Sequence, residues 1–216
     1  MSRYLLEATH LSHGFEYPLF DGIHVALEAK ESLAIVGRSG SGKSTLLHLL
    51  SSFIEPNEGE VKLFGENLYS RSQEEIEALR RYDIGMVFQF HYLFKGMRAL
   101  ENIQIATLLS EESFDVSIVK ALEVEHLMEQ KTSSLSGGEQ QRISIARVLS
   151  KKPRIIFADE PTGNLDSENA SKVIEVLLAY IQKYEAVLVL VTHDEQLAKR
   201  CKYSYRLEER RLKEMV

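Results

Sequence analysis

The chain has 216 residues, 44% hydrophobic and 27% charged, which is the composition of a folded globular protein and excludes a disordered one. A formal net charge of −6 gives no general attraction to nucleic acid or to an anionic membrane surface. The lone cysteine, Cys201, excludes an internal disulfide and a cysteine zinc site, and it fits a reducing compartment.

The start, Met1-Ser2-Arg3-Tyr4-Leu5-Leu6-Glu7, lacks an apolar signal core, so no signal peptide is expected. Ile23, Val25 and Leu27 alternate with His24, Ala26 and Glu28, the period of a half-buried strand. Leu33-Ala34-Ile35-Val36 is a short apolar run ending in glycine, and a helix is predicted from about Lys43 with Leu46, Leu47, Leu49 and Leu50 on its apolar face. Pro56-Asn57-Glu58-Gly59 reads as a turn before the strand-like Val61-Lys62-Leu63-Phe64. Residues 99–128 carry leucine and isoleucine at helical spacing with no strand pattern, which predicts a small inserted helical lobe. Strand patterns return at 155–158 and 187–191, followed by predicted helices over 169–180 and 194–200. The tail, 203–215, reads as a hairpin turning near Glu208-Glu209-Arg210, with its basic residues on a solvated face. No apolar run approaches the roughly 18 residues that cross a bilayer, so direct membrane insertion is not expected. The pattern predicts one α/β domain over 1–216, with a mainly parallel sheet core (about 1–90 and 150–216) and a helical lobe (about 91–149).

Gly37-Arg38-Ser39-Gly40-Ser41-Gly42-Lys43-Ser44 matches the phosphate-loop pattern G-x-x-x-x-G-K-[ST] between a predicted strand and a predicted helix. The glycines allow the tight winding that points successive N–H groups at phosphate oxygens, and the helix N-terminus adds its positive dipole. A random chain of this length matches about once in a hundred. In this reading Lys43 reaches the β- and γ-phosphates, Ser44 offers its hydroxyl to Mg²⁺, and Thr45 completes the cradle. Ile155-Ile156-Phe157-Ala158-Asp159-Glu160 is an apolar strand delivering two carboxylates at the end where open α/β sheets bind ligands. Asp159 fits the metal-holding position, and Glu160 is placed to orient or deprotonate a water. Leu135-Ser136-Gly137-Gly138-Glu139-Gln140-Gln141-Arg142 opens another helix, with Ser136 as its N-cap and two glycines that permit close approach to an anion.

The string from Leu135 to Gln140 resembles the signature motif of ATP-binding-cassette (ABC) ATPases, and the other motifs follow in that family's order over nearly the whole chain, which implies a P-loop NTPase cassette with a mainly parallel sheet core, an antiparallel β subdomain and a small inserted helical lobe. The resemblance implies a head-to-tail homodimer in which Ser136, Gly137 and Gly138 of one copy close over the γ-phosphate of ATP held by the phosphate loop of the other. It further implies that Gln89 senses Mg²⁺ and the membrane partner, that Asp166 of Asn164-Leu165-Asp166 lies across the dimer interface, and that His193 touches the γ-phosphate. Read without the resemblance, Gln89 simply ends a strand, Asp166 or Ser167 caps a helix, and His193 is structural. Phe15, with Tyr17 as the alternative, resembles the aromatic that stacks on adenine, unless its ring packs in the core. His10 and His13 make no metal-ligand set.

Ala158-Asp159-Glu160-Pro161-Thr162-Gly163-Asn164-Leu165-Asp166 is similar to the branch holding lipoprotein-releasing, macrolide-efflux and cell-division cassettes. Gln89-Phe90-His91-Tyr92-Leu93 and Ala99-Leu100-Glu101-Asn102 most resemble the lipoprotein-releasing type. The implied role is a motor subunit at the cytoplasmic face of the bacterial inner membrane, contacting permease subunits through residues 89–102. A nucleotide-gated scaffold or an efflux subunit is the alternative. Lys95-Gly96-Met97-Arg98 and a lobe shortened around 111–125 depart from the usual pattern, and Phe90, Tyr92 and Phe94 fit either the lobe interior or a partner groove.

Overall fold

Neighbouring residues in each central strand point to opposite faces of one sheet, and this alternation divides the core in two. In the computed structural model, which describes residues 3–215, β1 (Leu6–Gly14) and β2 (Pro18–Leu27) form a hairpin, and β3 (Ser32–Val36) leads to α1 (Lys43–Leu50). Met1 and Ser2, part of the start read for a signal peptide, lie outside the described residues. There follow β4 (Glu58–Leu63), β5 (Glu66–Asn67), α2 (Gln73–Ala78) and β6 (Ile84–Val87). The next segment is helical: α3 (Ala99–Ser110), α4 (Val116–Ala121) and α5 (Gly137–Leu149). The chain closes with β7 (Ile155–Asp159), α6 (Ser167–Tyr184), β8 (Val187–Val191), α7 (Glu195–Ala198), β9 (Tyr203–Glu208) and β10 (Arg211–Glu214).

A six-stranded sheet runs β10-β9-β3-β8-β7-β6, parallel except for the antiparallel edge strand β10. Its central strands β3, β7 and β8 are buried at every position, as expected of strands covered on both faces. Ala34, Ile156, Ala158, Leu188 and Leu190 face a core shared with α3, α5 and α6. Leu33, Ile35, Ile155, Phe157, Val187 and Val189 face α1 and the second sheet. That second sheet is four-stranded and antiparallel, in the order β2-β1-β4-β5. Among the described residues no helix is long and apolar enough to cross a membrane.

Several boundaries differ from the sequence expectation for local reasons. α6 starts two residues earlier than 169 and runs to Tyr184, because Asp166 caps its first turn and Ala170, Val173, Ile174, Leu177 and Ile181 give it one continuous buried stripe. α7 is shorter than 194–200: Asp194 is its cap, and the Arg200 and Cys201 amides donate to Leu197 and Ala198, tightening the chain out of the helix. Glu58 and Gly59 already belong to β4 instead of to the preceding turn. Gly59 has φ 92°, and a Cβ there would meet the His10 carbonyl oxygen at 2.4 Å, so only glycine lets β4 pass beneath the bulge in β1. The expected tail hairpin forms, with Glu209 and Arg210 both at positive φ in its turn.

Candidate functional site

The phosphate-loop segment joins the carboxyl end of β3 to α1, at the edge where parallel sheets bind ligands. Gly40 (φ 79°) and Gly42 (φ 98°) take left-handed conformations, and Gly42 serves as the N-cap of α1 with no side-chain cap, which leaves the first helical N–H groups open to an anion. Lys43 is buried and curls back over the loop, its Nζ donating to the carbonyls of Gly37 at 2.9 Å and Arg38 at 3.0 Å. The Ser41 hydroxyl is buried within the loop with no partner.

Two strand ends deliver the acidic and imidazole groups. Asp159, the last residue of β7, accepts a hydrogen bond at 3.1 Å from the Ser44 hydroxyl on α1. Glu160 follows in a left-handed conformation (φ 46°), a strain of about 1–3 kcal/mol, and its amide donates to Val191. Its Oε2 lies 2.8 Å from His193 Nδ1, just beyond β8. The Glu160 side chain is mostly buried, whereas the imidazole is exposed.

One cleft of 580 Å³ is lined by Gly37, Ser39, Gly40, Gly42, Lys43, Ser44, Thr45, Gln89, Glu160 and His193, together with Phe15, Leu19 and Gly163, while Arg38, Ser41 and Asp159 lie outside its lining. The ring of Phe15 is 70% exposed, so core packing is excluded for it. Tyr17, also exposed, lines a neighbouring hollow and not this cleft. Leu19 and Gly163 escaped the sequence reading because an apolar residue inside a strand and a glycine between motifs carry no chemistry of their own. Among the described residues no three histidine, cysteine or acidic groups cluster as a metal site. The oxygens of Ser44 and Asp159, with the Gln89 amide in the same cleft, are instead the hard donors that suit a Mg²⁺ ion sharing its shell with phosphates and water.

Ser136, Gly137 and Gly138 do not line this cleft. Ser136 caps α5 in a reciprocal box, its hydroxyl accepting from the Glu139 amide at 3.3 Å while its own amide donates to Glu139 Oε2 at 2.8 Å. The Ser136 hydroxyl, 2.8 Å from Glu139 Oε2, and then the Ser136 amide hold the Glu139 carboxyl below its ordinary range. A Cβ on Gly138 would meet Leu165 Cδ2 at 3.0 Å, so the glycine turn packs on the segment before Asp166. Asp166 is the cap of α6, its Oδ1 accepting from the Asn169 amide at 2.9 Å, and that bond lowers the pKa of its carboxyl.

The segment after Gln89 is strapped to α5. Arg147 donates to the carbonyls of Tyr92 at 2.8 Å and His91 at 3.2 Å, and Ser144 donates to His91 at 3.1 Å. Phe90 (69% exposed) and Tyr92 (64%) face outward instead of filling the lobe, and Phe94 is half-exposed at a groove.

The comparisons agree with this arrangement. The family model described as "ABC transporter" matches residues 20–163. A lipoprotein-releasing system ATP-binding protein LolD from Xanthomonas axonopodis pv. citri is 41% identical over 217 residues, covering 98% of this chain and 89% of that protein. The LolD of Bdellovibrio bacteriovorus is 39% identical over 200 residues, 90% of this chain and 91% of the relative. Among solved structures, the dimeric post-hydrolysis state of the ATP-binding cassette MJ0796 bound to ADP and Pi superposes with a TM-score of 0.87 at 29% identity, covering 97% of both chains. CbiO1 from Clostridium perfringens, part of the transporter complex cbiONQ, gives 0.83 at 25% identity over 98% of this chain and 88% of that one. With a phosphate loop, a strand-end carboxylate pair and a histidine converging on one cleft of an α/β cassette, this chain belongs to the ABC transporter ATP-binding family and is an ATPase.

Proposed function

We propose that this chain drives the release of lipoproteins from the bacterial inner membrane, working as a homodimer on the cytoplasmic face beneath integral membrane subunits. The observation that supports the motor chemistry is the cleft itself, which brings the phosphate-loop residues, Gln89, Glu160 and His193 together while the Ser136 turn at the start of α5 is not part of its lining. A second copy, head to tail, supplies Ser136, Gly137 and Gly138 over the γ-phosphate and sets Asp166 at the interface. The dimeric state of the cassette MJ0796 supports this reading.

Within the site, Phe15 stacks on adenine, and the amides of residues 37–45 with Lys43 hold the phosphates. Ser44, Asp159 and Gln89 are the residues that would hold Mg²⁺, which when bound neutralises charge on the β- and γ-phosphates. Glu160 accepts a proton from water as that water attacks the γ-phosphorus and the bond to the β–γ bridging oxygen breaks. His193, hydrogen-bonded to Glu160, fixes that carboxylate and reaches the departing phosphoryl group. Residues 91–149 act as the lobe that carries the Ser136 turn toward the partner's nucleotide.

The membrane subunits dock beside residues 89–102, in a groove of two adjoining hollows of 220 and 480 Å³. Phe53, Met86, Phe94 and Leu109 supply apolar lining, while Arg80, Arg147 and Lys151 supply charge. These three cations donate to carbonyl or hydroxyl oxygens and not to carboxylates, which leaves them to receive an acidic, partly apolar segment. Lipoprotein as cargo rests on the LolD relatives. The test is to purify the chain with the membrane subunits from its own genome, reconstitute them with a lipid-anchored lipoprotein, and add ATP. ATP-dependent release supports the reading; release of a small hydrophobic efflux substrate, with lipoprotein retained, overturns it.

A further inference from the structure

Phe15 projects into solvent at the rim of the cleft, and an exposed ring needs a neighbour to fix its direction. Its backbone is already pinned: the Gly14 amide donates to Asn57 Oδ1 at 2.9 Å, and a Cβ on Gly14 would meet the Tyr17 carbonyl oxygen at 2.5 Å. The side chain is set by another residue. The His13 ring stands edge-on to Phe15, 5.1 Å between centroids at 89°, and on its inner side lies against the buried Phe20 at 6.4 Å. The residue is 7% exposed, and neither ring nitrogen has a hydrogen-bond partner. A buried imidazole with both nitrogens unsatisfied costs stability that a phenyl ring in the same place would not. The geometric return is a chain of three rings running from the core to the nucleotide cleft.

We propose that His13 is a positioning residue for nucleotide binding: its neutral ring holds Phe15 in the orientation that stacks on adenine. The proposal rests on the reading of Phe15 as the adenine platform. Burial alone pushes the His13 pKa below its ordinary value of 6.5. The charged groups sharing its hollow are Glu16 from the hairpin turn, Asp21 from β2, Glu58 from β4 and Arg210 from the β9–β10 turn. Protonation sets an unsolvated charge against Phe20, drives the ring outward toward those carboxylates, and frees Phe15. ATP affinity thereby carries a pH dependence that originates outside the catalytic groups.

The test is a double-mutant cycle on the full chain, reading ATP affinity by calorimetry and KM and kcat by phosphate release. His13→Ala is expected to weaken ATP binding about 3- to 10-fold, the range of one aromatic edge contact, with kcat little changed. In a Phe15→Ala background the same substitution should have no further effect. His13→Phe should bind ATP like the parent at neutral pH and lack the additional loss of affinity expected of the parent as the pH falls below the ordinary imidazole value of 6.5. Wild-type affinity in Phe15→Ala overturns the platform reading and the proposal with it. A weakened Phe15→Ala combined with an unaffected or fully additive His13→Ala overturns the positioning role alone. If His13→Ala does not fold, the His13→Phe pH profile decides, and a profile that superposes on the parent's overturns the proposal.

Discussion

The Glu160 carboxylate and the His193 imidazole, 2.8 Å apart, join the ends of two adjacent parallel strands directly beside the phosphate loop. The contact depends on the left-handed turn at Glu160, which swings its side chain out of the buried plane of β7 and into the cleft. Replacing Glu160 with glutamine keeps shape and hydrogen-bonding capacity while removing the base. We expect Glu160→Gln to bind ATP, to lose about 10²–10⁴-fold in turnover, and to accumulate as an ATP-bound dimer. Single-turnover phosphate release and gel filtration measure both; turnover at the parent rate would remove Glu160 from its role.

Lys43 donates to two loop carbonyls and lines the cleft, so its ammonium is held inside the glycine-rich loop. Lys43→Ala should abolish tight nucleotide binding. Unchanged affinity in calorimetry would count against the phosphate-loop reading.

Arg147 holds the segment that follows Gln89 by bonding the His91 and Tyr92 carbonyls. Arg147→Met should leave the affinity of the isolated chain for ATP near the parent value while removing stimulation of ATPase by the membrane subunits. Equal stimulation in parent and variant would show that this strap carries no signal.

Lys151 is partly buried, donating to the Arg80 and Ile84 carbonyls, and this burial pushes its pKa down to about 8, with the Arg147 charge adding to the effect. The unfolded chain keeps the ordinary value of 10.5, so between about pH 8 and 10.5 the unfolded state binds a proton that the folded state lacks. Lys151 therefore makes stability rise with pH across that window, by roughly 3 kcal/mol at most. Urea unfolding of the parent and of Lys151→Met at pH 8 and pH 10 measures it: the parent should gain relative to the variant. A constant difference would refute the shift.

Motifs that combine a fixed spacing with a buried strand were legible in the sequence. The apolar runs before Gly37 and ending at Asp159, and the run of β8 before His193, appear as strands, and their polar followers meet in one cleft. β1 was not legible as a strand, because its buried positions, Leu6, Ala8, Leu11 and His13, change phase at a bulge where His10 takes φ 53°. α2 buries no residue, so it has no apolar stripe to read; only its Ser72–Glu75 capping box marks it. The direction of Phe90 and Tyr92 was also beyond the sequence, since an aromatic pattern does not distinguish a lobe interior from a partner surface. The His13–Phe15 contact was not read in the sequence, because a spacing of two puts both rings on one side of the strand end without showing that they touch.

The sharing of each nucleotide between two copies is tested most directly by a structure of Glu160→Gln with ATP and Mg²⁺. The expected result is a head-to-tail dimer in which the Ser136 hydroxyl of one copy hydrogen-bonds the γ-phosphate held by Lys43 of the other. A closed, ATP-loaded dimer with Ser136 remote from both γ-phosphates would contradict it.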